Sequence, residues 1–200
     1  MEIIILAEEL TLIRDVSFAL KKFLKENLVE FSGDSSIIFD SPGDIQNPPT
    51  PYGLSLFLYQ VNENPFMKNN GNIPVSSNTL QKNQLFLDLV YLFTPYASNR
   101  DTEQILLTKL LRLLYDNSSL KGSILGTELL DSGNQELFIV SNDLTIEKMQ
   151  SIWLLFPGKS FKLGISYTVS SLKIPSVIKA PSQRVISKQL EFYQISDKKG

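Results

Sequence analysis

Two long apolar segments constrain the fold of this chain more than any other feature. The first runs from Leu54 to Val61 with apolar side chains at both odd and even positions, and the second runs from Leu85 to Leu92 with Asp88 as its only charge. Strands that are apolar on both faces are typical of a sheet packed on both sides. We therefore predict two long strands, the first of them central in a sheet, and we expect Pro95 to end the second one.

Three segments have helical periodicity. Apolar residues recur at three- and four-residue steps from Ile5 to Leu28, which predicts a long amphipathic helix. A second helix is predicted from Asp101 to Tyr115, where Asp101 and Gln104 resemble a capping box. A third is predicted from a cap at Thr145 to Trp153.

The rest of the chain alternates short strands with loops. Short strands are predicted at residues 36–39, 137–140, 161–170 and 187–195. Proline, glycine and asparagine predict loops at residues 41–51 and 62–78, and two prolines predict a linker at residues 175–184. Residues 118–133 fit a strand, a helical turn or a flap, so no single assignment is made there.

The order of these elements predicts the fold class. Strands and helices are interleaved, but not in regular βαβ alternation. We therefore predict an α+β, or mixed α/β, fold with one central, mostly antiparallel or mixed sheet and about three helices. The predicted organisation is a single domain over residues 1–175, followed by a linker and a C-terminal strand or arm over residues 176–200.

The amino-acid composition argues against catalysis. The chain contains no histidine and no cysteine, so it has no Ser-His or Cys-His pair and lacks the usual ligands of structural zinc. No glycine-rich phosphate-binding motif and no calcium-binding loop is present in the sequence. We expect no catalytic residues, no cofactor and no metal.

Two patterns that resemble catalytic motifs have simpler explanations. Residues Ser118–Lys121 match a Ser-x-x-Lys pattern without its companion motifs, and they fit the polar end of the preceding helix. Asp88 lies inside an apolar strand and could form a carboxylate pair with Asp40 or Glu63. We favour the structural alternative, in which Asp88 pairs with an Arg or Lys or lies on a solvated face.

Charge and hydropathy argue against two classes of partner. The 19 basic residues are scattered among 21 acidic ones, which gives a net charge of −2, so nucleic acid is not an expected partner. The apolar run Ile3–Ala7 is five residues long and is followed by Glu8 and Glu9. We therefore expect neither a signal peptide nor direct membrane insertion.

One polar loop carries apolar residues that have no obvious place in a core. Phe66 and Met67 stand in the asparagine-rich segment between the two long strands, where no strand or helix is predicted to bury them. They are therefore candidates for a protein interface.

The order of several motifs carries a family resemblance. IRDVS begins at Ile13, DSP at Asp40, LYQVNENPFMKN at Leu58, LDLVYLFTPY at Leu87 and LGISYTVS at Leu163. Together these look like the tail terminator (cap) family of extracellular contractile injection systems, of the antifeeding-prophage and virulence-cassette type. The resemblance spans about residues 10–170, and the blocks that begin at Leu58 and Leu87 are its most specific parts.

The resemblance implies a structural protein, not an enzyme. It implies a homo-oligomeric ring, typically a hexamer, seated on the last ring of the inner tube and touching the last ring of the sheath, where it stops polymerisation and anchors the sheath. The expected partners are further copies of the chain, the inner tube protein and the sheath protein. Assembly is expected in the bacterial cytoplasm, in a particle that is released or stays with the cell.

Two segments are predicted to make the partner contacts. The loop at residues 62–72 is expected to contact a neighbouring subunit or the tube, and the strand at residues 187–195 is expected to add to a partner's sheet. An ordinary edge strand of its own sheet is an equal alternative for the second segment. The residues named for these contacts are Asn62, Glu63, Asn64, Phe66, Met67, Lys68, Asn69, Leu190, Phe192 and Ile195.

Two other functions stay open on the sequence. An adaptor or connector of a prophage or secretion particle would join the tube to another component instead of capping it. A small hydrolase built on carboxylates would need two close carboxyl groups in one pocket.

Overall fold

The computed structural model describes residues 11–68, 71, 73–76, 79–176 and 178–181. The chain divides into two compact units, formed by residues 1–69 with 84–175 and by residues 70–83 with 176–200. In chain order the elements are α1 Leu12–Asn27, β1 Ile37–Ile38, β2 Tyr52–Glu63, β3 Ile73–Ser76, β4 Thr79–Gln81, β5 Leu85–Ala97, α2 Arg100–Asp116, β6 Ser119–Lys121, α3 Gly126–Asp131, β7 Glu136–Ser141, α4 Ile146–Trp153, β8 Ile165–Ile174 and β9 Lys179–Pro181.

The larger unit is built on a six-stranded sheet in the order β1-β2-β5-β8-β7-β6. β1 runs parallel to β2, and every other pair is antiparallel. The two long predicted strands are β2 and β5, and they pair along most of their length. The prediction that the first is central is wrong, because β2 has only the two-residue β1 on its other side, and β5 and β8 form the centre of the sheet. This mixed sheet with four described helices confirms the predicted α+β class. The fourth helix, α3, lies in the segment that had no single assignment.

The first face of the sheet carries the main core. The alternate β5 residues Leu87, Leu89, Tyr91 and Phe93 are buried there, together with apolar side chains from α1, α2 and α3. α1 contributes a stripe that recurs at helical spacing, which is why it packs flat on the sheet. Its buried members are Leu12, Val16, Ala19, Leu20, Phe23 and Leu24.

The second face of the sheet carries a smaller hydrophobic cluster. Leu92 packs there against Met149 and Ile152 of α4 and against Phe156, which follows that helix. The predicted cap is confirmed, since Thr145 accepts a hydrogen bond from the backbone N–H of Lys148. Because both faces bury side chains of β5, the two-sided apolar pattern of this strand is explained.

The prediction that Pro95 ends the second strand is wrong, because β5 continues to Ala97. Pro95 lies opposite Leu54, whose N–H donates to Ser36 and so points away from β5. The backbone nitrogen of Pro95, which carries no hydrogen, therefore lies on the β8 side of the strand. There the paired residues of β8 begin only at Ile165, opposite Phe93, so no ladder bond is lost.

Several element boundaries differ from the predictions. α2 begins one residue earlier than predicted and is capped by Asn99, which accepts from the N–H of Thr102, so the proposed Asp101 capping box is wrong. β8 begins at Ile165 and not at Phe161, because the Phe161 ring packs against Trp153, at 5.5 Å between centroids, instead of joining the sheet. The first predicted turn of α1 lies outside the described residues.

The smaller unit contains a three-stranded sheet in the order β3-β4-β9, with both pairs antiparallel. β3 lies in the segment predicted as a loop at 62–78, and β9 lies in the segment predicted as a linker. Both predictions miss these short strands, because a segment rich in asparagine, glycine and proline and a segment with two prolines favour loops, although edge strands tolerate proline. The predicted strand at residues 187–195 lies outside the described residues.

None of the helices in the described part of the chain is both long enough and apolar enough to cross a bilayer.

The buried Tyr91 hydroxyl predicts a loss of stability at alkaline pH. Burial raises the pKa of Tyr91 to about 12, although its hydrogen bond with Ser17 opposes the rise. Because the folded pKa lies above the ordinary value of 10.0, the stabilisation is complete below pH 10 and is lost as the pH rises through about 12. Urea unfolding across this pH range should show the decline. Tyr91→Phe should make it shallower without abolishing it, because burial and the nearby Glu103 also raise the pKa of Tyr96 to about 12.

Tyr115→Phe is the matched control, because that ring is 85% exposed. Its stability should follow the pH dependence of the wild-type chain. An unchanged slope in Tyr91→Phe would contradict the assignment of the decline to Tyr91.

Candidate interaction site

A short turn after β2 holds an aromatic side chain in solvent. Residues 64–68, which we call the Phe66 turn, begin where β2 ends at Glu63. The side chain of Phe66 is 90% exposed, whereas Asn64 is buried. A single exposed apolar side chain is common on protein surfaces and does not by itself indicate a binding site. The hydrogen bonds of this turn, however, fix the position of Phe66.

Asn64 uses almost all of its hydrogen-bonding capacity to fix the turn. Its backbone N–H donates to the carbonyl of Phe86 at 2.8 Å, and its side-chain oxygen accepts from the N–H of Phe66 at 3.0 Å. Its side-chain nitrogen donates to both carboxylate oxygens of Asp88, at 3.0 and 3.1 Å. The asparagine thus closes a local turn and ties it to β5.

Asp88 therefore has a structural role that differs from the predicted one. Of the two structural alternatives, the Arg or Lys partner is wrong for the described residues, since the carboxylate accepts from Asn64 and from the backbone N–H of Ser171 at 3.2 Å. The solvated face is met only in part, because Asp88 is half-buried. The alternative partner Glu63 is bound to Lys68, at 3.0 Å. Asn64 is buried and Asp88 is half-buried, so the amide of Asn64 in particular depends on this pairing.

A bulge in β8 supplies the second donor to Asp88. The register passes from Leu87 opposite Leu172 to Leu89 opposite Val169, so Asp88 faces two residues of β8. Ser171 has a φ of 70° in this bulge, a left-handed conformation that residues other than glycine seldom adopt. In this conformation the N–H of Ser171 points toward the carboxylate of Asp88, which also accepts from Asn64 of the Phe66 turn.

The other predicted contact residues fall in three groups. Asn62 and Glu63 are exposed at the end of β2, and Lys68 is exposed in the turn, where it pairs with Glu63. Met67 is half-buried, so Phe66 is the more exposed of the two apolar residues. The remaining predicted contacts, Asn69, Leu190, Phe192 and Ile195, lie outside the described residues.

A second surface, which the sequence did not reveal, is an apolar groove of about 720 Å³ beside α4. It lies at the end of the sheet where β7 ends and β8 begins. Leu154 is 73% exposed and Ile146 is 82% exposed along it. Its apolar and aromatic lining is formed by Leu111, Leu144, Ile146, Met149, Trp153, Leu154, Phe161, Leu163, Ile165 and Tyr167.

The groove is almost without charge. Lys159 is the only charged residue among those that line it, and its ammonium group donates to the carbonyl of Ile45 at 2.8 Å. An apolar, uncharged surface of this kind favours an apolar, uncharged occupant. A signal for it was present in the sequence, since residues 152–156 carry more apolar side chains than one face of a short helix can bury.

Two arrangements bear on whether the described residues could support chemistry. No group of three or more carboxylates that could hold a metal ion occurs among them. The Ser-x-x-Lys pattern begins one residue before the short strand β6 and continues through it, and the backbone carbonyl of Ser118 accepts a hydrogen bond from the N–H of Ile139. The two surfaces are suited to binding proteins.

Comparison with known proteins identifies one family. Residues 15–188 match the family model described as the Pvc16 N-terminal domain. No curated protein sequence gives a significant match to the chain.

Two solved structures share the fold. One is described as the sheath/tube terminator of an extracellular contractile injection system, PVC, in the extended state. It is 17% identical, with a TM-score of 0.62, over 91% of this chain and 64% of that chain. The other is described as the anti-feeding prophage cap, or AFP tube terminating cap. It is 18% identical, with a TM-score of 0.59, over 88% of this chain and 60% of that chain. The present chain thus spans less than two thirds of each.

Removal of the Asn64 side chain should loosen the Phe66 turn. Asn64→Ala leaves the Phe66 N–H and the Asp88 carboxylate without this partner, which should lower the free energy of unfolding by about 1–3 kcal/mol. Asn62→Ala is the matched control on the exposed end of the same strand, and it should change stability by less than about 0.5 kcal/mol. Urea denaturation measures both. Equal stabilities of the two variants would contradict the role given to Asn64.

Proposed function

Because the chain belongs to the Pvc16 N-terminal domain family, we propose that it is the cap that terminates the tube and sheath of a phage-tail-like contractile injection system. The observation that carries the proposal is the family match over residues 15–188. The likeness in fold to a sheath/tube terminator and to a tube terminating cap, over 91% and 88% of this chain, supports it.

The proposed mechanism is mechanical. A growing tube adds rings because each ring offers the surface that the next one needs. A cap of the same symmetry can occupy the last such surface without offering a new one, and this stops polymerisation. Contacts from the same cap to the last sheath ring would anchor the sheath when it contracts. No covalent step is needed.

The absence of an enzymatic role is part of the proposal. It is supported by a chain without histidine or cysteine, and by the use of Asp88 as an acceptor for Asn64 and Ser171 instead of as a free acid. A cap needs binding surfaces, and the Phe66 turn and the apolar groove are two candidates for them.

The proposed partners are further copies of the chain in a ring, most simply a hexamer, together with the inner tube protein and the sheath protein. The Phe66 turn would contact a neighbouring subunit or the tube. Residues 187–195, with Leu190 and Phe192 alternating, would add as a strand to a partner's sheet. The ring would form in the bacterial cytoplasm, within a particle that is released or stays with the cell.

Loss of the chain should remove control over tube length. In cells that make the particle, deletion of this protein should give tubes and sheaths of broad length distribution, because nothing blocks the last growth surface. Electron micrographs of purified particles measure the lengths, and expression of the intact chain should restore a narrow distribution. Particles of normal, uniform length without the protein would contradict the terminator role and favour an adaptor.

Removal of residues 182–200 tests the C-terminal strand separately. The truncation keeps Pro181, which pairs with Thr79 in the smaller sheet. If the missing residues donate a strand, the truncated ring should still bind the tube but should lose the sheath on contraction. A truncated chain that keeps the sheath attached would show that these residues are not the anchor.

A further inference from the structure

The Phe66 turn and the apolar groove lie at opposite ends of one sheet. β8 connects the two ends, because it begins at Ile165 beside the groove and reaches Ser171, which donates to the Asp88 carboxylate beneath the turn. Six residues of extended strand separate these points by about 20 Å. Phe66 therefore cannot reach the groove of its own chain without disruption of the sheet.

The two surfaces have matching chemistry. The tip of the turn, Pro65 to Met67, is apolar, and the charges that flank it, Glu63 and Lys68, neutralise each other in an ion pair. The groove is apolar, and the ammonium group of Lys159, its one charged residue, is bound to a backbone carbonyl. An uncharged aromatic projection thus fits an uncharged apolar recess without burial of an unpaired charge.

We propose that Phe66 of one copy inserts into the apolar groove of the next copy, and that this contact closes the ring. A contact between two different surfaces of identical subunits is heterologous, and it forms a ring when the rotation between neighbours closes. The turn is held rigid by Asn64, so little ordering is required when it docks. This inference rests on the ring in the proposed function and identifies which surfaces of the larger unit form it.

A photo-crosslinking experiment tests the contact directly. p-Benzoyl-phenylalanine is placed at position 66 of the full chain, in particles that carry the cap, and the crosslinked peptides are mapped by mass spectrometry. The expected product joins position 66 of one copy to residues 141–167 of another. Crosslinks to the tube protein, or to the residues 1–10 or 182–200 of any copy, would overturn the proposal. The same probe at the exposed position 115 should not label the groove.

Mixed variants test whether the contact is head-to-tail. Phe66→Glu removes the projection and Leu154→Glu blocks the recess. Under the conditions in which the wild-type chain forms its ring, each variant alone should fail to form one and should remain a monomer of about 22.6 kDa. An equimolar mixture has one intact contact, between the projection of the second variant and the recess of the first. The mixture should therefore give a dimer and nothing larger, whereas a mixture without dimer would contradict the pairing.

Tyr115→Glu is the matched control, since it places the same charge on another exposed aromatic. It should form rings as the wild-type chain does, and thermal unfolding should show that all three variants are folded. Rings formed equally by Phe66→Glu and Tyr115→Glu would refute this inference and leave the cap function intact. Failure of the wild-type chain to form a ring on its tube would instead contradict the proposed function itself.

Discussion

The β5 strand is hydrogen-bonded to neighbours on both sides and packed on both of its faces, and the arrangement of the larger unit follows from this. One set of alternate side chains, from Leu87 to Phe93, anchors the three helices of the main core, and Leu92 on the other face holds α4. Dispersion and burial of apolar area fix the sheet as a rigid body, because interiors of this kind are close-packed. The two candidate binding surfaces are therefore held at a fixed distance from each other.

The polar exception in β5 links the core to one of these surfaces. Asp88 interrupts an otherwise apolar strand, and a carboxylate at that position would be costly if it were unpaired. Asn64 and the bulged Ser171 satisfy it, and the same asparagine directs Phe66 into solvent. Asp88, the residue that most suggested a catalytic role in the sequence, is better explained as a structural residue that supports the Phe66 turn.

Much of the architecture could be predicted from the sequence because its signals are local. The two-sided apolar pattern of β2 and β5, the stripe of α1 and the cap at Thr145 all act within one element. Features that depend on partners distant in the chain could not be predicted. The continuation of β5 through Pro95 depends on where β8 begins, and the Asp88 pairing depends on a bulge in another strand. The groove arises where α4 meets the ends of β7 and β8, so the apolar run at residues 152–156 indicates surplus apolar side chains but not the surface that they form.

The central claim is that this chain forms a ring that ends a tube, and the most direct measurement is its mass in solution. The purified full chain would be examined by mass photometry at micromolar concentration, alone and after mixing with the tube protein of the same particle. The account predicts a closed species near six times the 22.6 kDa chain mass, either at once or on mixing. A chain that stays monomeric both alone and in the presence of the tube protein would contradict it.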